Sequence, residues 1–346
     1  MTNSGSKGNA FALKGGSVMK FYKTTMGIMT LGLLLMGWMA LPTTSLAASK
    51  KYLSLGTGNP GGTYYFIGAG FASLMNKFVP EVRVIAESTA ASEENINLVL
   101  RKKMDLGMAG IHALPPLIER KVDLSGMRLI GIGHSSDCHW IVRKDSPVKS
   151  IQDYKGRRVA VGAPGSGTLI GSKDVLKIIR GLTFDDFKPA YLTFTESITG
   201  LRDGTIDVGL VQAGYPVASV LDLAQHQAIR LISYSNDEIS RLVSQRPFYV
   251  KIVIPSGTYR GVEGDTVTHG SVSMIFCRQD LSEDLIYKLM KAIYDHPKER
   301  DAVHPQAKQW SLEYIFRAAD YTTKYIPFHP GAIKYLKEKG VWKEIK

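Results

Sequence analysis

The chain is poor in cysteine. Cys138 and Cys277 are its only two, so no zinc ligand spacing exists and at most one disulfide can form, which export would permit. Both lie in apolar, strand-like stretches and are expected as buried free thiols. No H-E-x-x-H motif occurs, and the eight histidines are scattered. Gly133–Asp137, GHSSD, resembles a nucleophile elbow until its last position, where Asp replaces the required Gly. Gly162 and Gly167 have the spacing of a phosphate loop, but Thr168 stands where Lys must be, which removes support for nucleotide hydrolysis. Gly56, Gly58 and Gly61 match the dinucleotide fingerprint, a signal with little weight by itself. No basic run is interleaved with aromatics, so nucleic acid is not an expected partner. No nucleophile with a base in reach is evident, no cofactor or metal is called for, and a non-enzymatic role is expected.

Long apolar runs are also scarce. The one present, Met26 to Leu41, follows Lys20 and Lys23 and precedes small residues from Thr43 to Ala48. It reads as a cleaved secretory signal, residues 1–47, with the cut after Ala47 and Ser45 at the −3 position. Residues 1–18 read as a non-native or upstream extension, with Met19 a natural start. Four lysines and no acidic residue leave with this segment, so the formal charge falls from +12 to +8. A basic exported protein favours small anions or membrane surfaces. At 346 residues with 44% hydrophobic content, the chain suffices for two domains.

What the sequence does hold is a repeat. A strand leads into Gly61-Gly62-Thr63, and another leads into Gly165-Ser166-Gly167-Thr168. Ser92 opens one helix ending at Arg101, and Thr195 opens another ending at Arg202. Asp105-Leu106-Gly107-Met108 is matched by Asp207-Val208-Gly209-Leu210. The offsets are 105 for the glycine loops and 102 for the Asp-x-Gly segments. Features in the same order at nearly constant spacing imply two α/β lobes of similar topology, each presenting helix starts at the carboxyl edge of its sheet. Strands near 52–57, 82–86, 105–109 and 128–133 alternate with helices near 64–78, 92–103 and 114–120. Cys138–Asp145 and Gly270–Asp280 are the expected crossing and return strands. The expected lobes are residues 48–143 plus 272–346, with C-terminal helices, and residues 144–271.

The glycine loop before residue 169 suits a carboxylate. Backbone N–H groups at a helix start and the helix dipole favour a small anion, and Ser166 and Thr168 offer hydroxyls. Gly165 and Gly167 permit close approach. Tyr64 and Tyr65 are adjacent on a helix, so one is expected to face the cleft and one the core. Ser92 and Asn95, three apart at a helix start, both reach toward one point. A tight turn with a capped helix accounts equally for the glycine loop, and simple capping for Ser92. His329 is expected to be structural.

Several stretches together carry a family resemblance: GTGNPGGTYYFIGAG (56–70), ASEEN (91–95), VAVGAPGSGT (159–168), DVGLVQAGYP (207–216), PFYVKIVIPSGTY (247–259) and IPFHPGAIKYLKEKG (326–340). The chain from about Lys51 onward resembles the solute-binding proteins of TRAP transporters, in the TAXI branch. The resemblance implies a two-lobed, periplasmic-binding-protein-like α/β fold of the type II class, with two chain crossings and the ligand in the interlobe cleft. It implies a monomeric periplasmic receptor that hands a small organic acid or amino acid, with glutamate and 2-oxoglutarate foremost, to ion-gradient-driven TRAP membrane subunits. Carried over by position, the ligand contacts are Tyr64 or Tyr65, Ser92, Asn95, Gly165, Ser166, Gly167, Thr168, Gln212, Ala213 and Gly214. An exported sensing module of the same fold is the alternative. Ala90-Ala91-Ser92 stands where the family commonly has Gly-Gly-Ser, and Gly110, Ile111 and His112 where it has Gln-Ser-Asp. These departures leave room for a hydroxy acid, a less polar acid or a bulkier ligand.

Overall fold

A computed structural model describes residues 50–343. The expected signal segment and its cleavage site therefore lie outside the described residues. The chain begins with β1 (Lys51–Gly56), α1 (Thr63–Phe78), β2 (Val82–Glu87), α2 (Ser92–Leu100) and β3 (Leu106–Gly110). A short turn of helix, Ile111–Ala113, leads into α3 (Leu114–Glu119). The 17-residue strand β4 (Met127–Arg143) follows. The second half runs β5 (Arg158–Ala160), α4 (Gly167–Arg180), β6 (Lys188–Ala190), α5 (Phe194–Arg202), β7 (Gly209–Gln212) and α6 (Ala218–His226). It continues through β8 (Ile229–Leu231), α7 (Asn236–Gln245), β9 (Tyr249–Ile254) and β10 (Thr266–Arg278). Helices α8 (Glu283–Tyr294) and α9 (Pro330–Glu338) lie in the C-terminal tail, with shorter turns between them.

The repeat seen in the sequence is a repeat of topology. In the first lobe β1 pairs in parallel with β2 on one side and β3 on the other, and β3 then pairs antiparallel with β10. In the second lobe β5 pairs in parallel with β6 and makes a parallel bridge to Val208 just before β7, and β7 pairs antiparallel with β4. Each lobe thus borrows a long strand from the connection between lobes. Strand β4 pairs with β10 from Met127 to Asp137, then with β7 and β8 from Cys138 to Arg143. Strand β10 pairs with β9 from Thr266 to Ser271 and with β3 from Ser273 to Cys277. The expected apolar segments at 128–133 and Cys138–Asp145 are consequently one strand, not two, because the polar run between them stays extended. The return segment expected from Gly270 starts earlier, at Thr266, where β9 supplies its partner.

Local chemistry sets the helix ends. Ser166 caps α4, and Thr193 forms a reciprocal capping box with Glu196 ahead of α5. Helix α4 stops at Gly181, whose φ of 67° suits a residue without Cβ; its N–H and that of Leu182 return to the last turn. Burial falls on near-continuous apolar runs at the centre of the sheet, such as Leu106–Ala109 in β3 and Met274–Cys277 in β10, its antiparallel neighbour. Both cysteines are buried and free. Trp140 and Trp310 are among the largest fully buried side chains. His329 caps α9, accepting from Gly331 N–H at Nδ1 and donating from Nε2 to the Leu281 carbonyl.

The centre of β4 breaks the apolar rule. His134, Ser135, Ser136 and Asp137 are all buried where the strand passes between lobes. Buried polar groups cost stability unless they are bonded, so their partners matter. Trp310 Nε1 donates to His134 Nδ1 at 2.8 Å. His139 donates from Nδ1 to the Asp137 carbonyl and accepts at Nε2 from the Tyr259 hydroxyl, both at 2.9 Å. Burial pushes the Asp137 carboxyl up to about 7.

Candidate functional site

A small cavity lies where the lobes meet. Its walls come from the starts of four helices, two in each lobe. Gly62, Thr63 and Tyr64 open α1; Ala90, Ala91 and Ser92 open α2; Gly167 and Thr168 open α4; Phe194 opens α5. Gly58, Asn59, His112, Ser136, Gln212 and Ala213 complete it. Each helix N-terminus carries N–H groups without intrahelical acceptors and a partial positive charge. Some of these are already used: Tyr65 N–H bonds to Gly62 O, Glu94 N–H to Gly165 O, and Leu169 N–H to Ser166 Oγ. The earlier N–H groups at Thr63–Tyr64 and Gly167–Thr168 belong to residues that line the cavity. No Lys, Arg, Asp or Glu is among the lining residues. The cavity wall is built from helix-start backbone and uncharged side chains.

The cavity volume is about 30 Å³, room for about two water-sized groups. That tightness reflects contacts between the lobes. Thr63 Oγ1 donates to Gly214 O at 2.8 Å, Glu94 N–H to Gly165 O at 3.1 Å, and His112 Nε2–H to Gly167 O at 2.9 Å. The conformation is closed.

The sequence-predicted residues divide. Tyr64, Ser92, Gly167, Thr168, Gln212 and Ala213 line the cavity. Of the tyrosine pair, Tyr64 turns inward and donates to Ser273 Oγ at 2.9 Å, whereas Tyr65 is partly exposed and packs against Phe66. Asn95 points away from the cavity. Its amide nitrogen donates to Thr57 O and Met108 O, and its Oδ1 accepts from Thr89, so it ties β1, β3 and the loop before α2 together. Ser166 is occupied within its own turn, donating to Ala163 O at 2.6 Å and accepting from Leu169 N–H at 3.1 Å. Gly165 adopts a φ of 77° and Gly214 accepts from Thr63; neither lines the cavity. His112, marked in the sequence only as a departure from the family pattern, also lines the cavity, as do Ser136 and Phe194, which are not among the sequence-predicted contacts. The periodic pattern marks their segments as a turn, a strand and a helix start, and nothing local indicates which side chain meets the opposite lobe.

Two lining residues hold buried polar atoms without partners among the described residues: His112 Nδ1 and Gln212 Nε2. Ser92 Oγ accepts from Gly110 N–H at 3.1 Å, which leaves its own hydrogen free to donate. Burial holds the His112 imidazole down at about 4, so it is neutral near pH 7.

These roles separate two neighbouring hydroxyls. Ser166→Ala is expected to lower stability by about 1 kcal/mol through loss of the helix cap, with ligand affinity unchanged. Thr168→Val is expected to weaken binding roughly tenfold with little change in stability, since Thr168 lines the cavity. Urea unfolding and calorimetric titration of both variants check this.

The paired β-α lobes, the two crossing strands and the closed cleft between them define a two-lobed α/β fold of the periplasmic-binding-protein class. The chain belongs to the NMT1-like family, which matches residues 55–340. A protein of Escherichia coli K12 named for binding aliphatic sulfonates is 25% identical over 195 residues, which cover 55% of this chain. The match spans 58% of that relative's length. Among solved structures, a protein of Bordetella bronchiseptica RB50 superposes with a TM-score of 0.51 at 17% identity, covering 84% of this chain and 79% of that one. The periplasmic aliphatic sulphonate binding protein of Escherichia coli gives a TM-score of 0.43, also at 17% identity with 84% and 79% coverage.

Proposed function

We propose that this chain is a periplasmic solute receptor that captures a small carboxylate between its lobes and delivers it to the membrane subunits of an ion-gradient-driven TRAP transporter. One observation carries the reading: four helix N-termini, two from each lobe, converge on one cavity that also holds unpartnered buried polar atoms. Such a site lacks a fixed cation and suits a single compact anionic head group. The lobes are assigned to residues 48–143 plus 272–346 and to residues 144–271. Ligand docks on one open lobe, and the closed form is selected because the anion meets helix starts from both. The TRAP assignment rests on the segments quoted above, GTGNPGGTYYFIGAG and IPFHPGAIKYLKEKG foremost.

A sulfonate is the second reading, favoured by the name of the Escherichia coli relative. Thermal melts of the refolded, ligand-free exported chain against carboxylates and alkyl sulfonates distinguish the two. Ligand at 100 times its Kd adds about 2.7 kcal/mol and raises Tm. A shift with carboxylates alone supports the proposal, and a shift with sulfonates alone replaces it. No shift with either class overturns the anion-receptor reading.

A further inference from the structure

The cavity wall is rich in donors, and one of its residues, His112, carries a buried acceptor nitrogen with no partner among the described residues. His112 Nε2 lies 2.9 Å from the Gly167 carbonyl. A carbonyl only accepts, so this nitrogen carries the ring proton and Nδ1 presents a bare lone pair. That lone pair is buried and has no partner among the described residues. Tyr249 does not supply one: its ring centre is 5.9 Å from that of His112, and its own hydroxyl is unpartnered. Ser271 Oγ accepts from His112 N–H at 3.4 Å and makes no bond to the ring. The ring cannot turn to exchange its nitrogens without breaking the bond that joins the lobes.

We propose that His112 accepts a hydrogen bond from the ligand, and that the ligand is therefore a small hydroxy monocarboxylate. This rests on the carboxylate reading above. A donor is required because an anion with acceptors alone, such as a propionate, a keto acid or an alkyl sulfonate, leaves the lone pair buried and unmatched. The donor is a hydroxyl because an ammonium would need a counter-charge, and no Asp or Glu lines the cavity. One carboxylate suffices because no Lys or Arg lines it to meet a second. The roughly neutral imidazole, held down at about 4, retains this acceptor across the physiological range.

The test is calorimetric titration of the exported chain with L-lactate, propionate, pyruvate, 2-methoxypropionate and ethanesulfonate. The wild-type protein is expected to bind lactate roughly 10- to 100-fold more tightly than propionate or 2-methoxypropionate. His112→Ala is expected to weaken all carboxylates, through loss of the bond to Gly167, and to collapse the lactate-to-propionate ratio to within about threefold. His112→Asn, which keeps a donor and an acceptor, is expected to restore part of that ratio. Equal binding of lactate and propionate by wild type overturns the inference while the carboxylate reading stands, as does a ratio preserved in His112→Ala. Preference for ethanesulfonate over every carboxylate overturns both. If His112→Ala fails to fold, the wild-type comparison of lactate with propionate and 2-methoxypropionate decides, since propionate lacks the hydroxyl without added bulk and the methyl ether keeps the oxygen without its hydrogen; equal binding of lactate and propionate overturns the inference.

Discussion

Gly167→Ala is expected to weaken ligand binding by about 10- to 100-fold, with almost no change in the melting temperature of the ligand-free protein. A Cβ at this position would stand 2.5 Å from Ser92 Oγ and 2.9 Å from both Ser92 Cβ and His112 Nε2. Ser92 is a short side chain at the rigid start of α2, and His112 is buried, so neither yields cheaply. Overpacking of this kind costs roughly 1–3 kcal/mol. Both clashing residues belong to the opposite lobe. The cost therefore falls on closure and not on the fold of either lobe, and Ala suits the first turn of a helix better than Gly. Calorimetric titration gives the affinity, and small-angle scattering gives the closure: wild type should contract with ligand and Gly167→Ala should not. An unchanged Kd would mean that ligand binds without the lobes meeting at Gly167.

Acidification from pH 6.5 to pH 4 is expected to lower the melting temperature by roughly 10 °C or more. Burial holds four imidazoles well below the ordinary 6.5: His112 and His139 at about 4, His134 and His269 at about 3. Below pH 6.5 the unfolded chain binds protons at these residues and the folded chain does not, so stability falls with pH until the folded imidazoles titrate. Asp137 acts in the opposite direction. Its folded carboxyl sits at about 7, above the unfolded 3.8, so the folded state gains a proton as pH falls through that window. The net excess is up to three protons for the unfolded state, an upper slope of roughly 4 kcal/mol per pH unit. Differential scanning calorimetry at pH 6.5, 5.5 and 4.5 measures it. A flat profile would mean that these histidines are hydrated in solution.

The polar centre of β4, from His134 to Asp137, lies where the strand leaves one lobe for the other. The polar groups tie the C-terminal tail and the second lobe to this point, through Trp310 to His134 and Tyr259 to His139.

The two-lobed organisation was legible because it is written in local signals repeated along the chain. The glycine loops before Thr63 and Thr168 and the Asp-x-Gly segments at 105 and 207 recur at nearly one spacing, and the strands they flank pair in the same order in both lobes. Tyr64 and Tyr65 show how far this reaches. Helix geometry dictates that two neighbours diverge, and Tyr64 turns inward. Ser92 and Asn95 show where it stops. Both lie at the start of α2, but Asn95 finds the Thr57 and Met108 carbonyls of two strands that the local pattern does not place beside it.

By itself the sequence determined the α/β class, the repeat and the helix starts, because periodicity, glycine and capping residues act within a few positions of one another. The tertiary structure decided which side chains meet the ligand cavity. Ser166 and Thr168 are two residues apart with equivalent hydroxyls, yet one closes its own turn and the other lines the cavity. His112 acquires its fixed tautomer only from Gly167, 55 residues away in the other lobe. Side-chain direction and proton placement depend on the partner that packing brings, and here that partner comes from the opposite half of the chain.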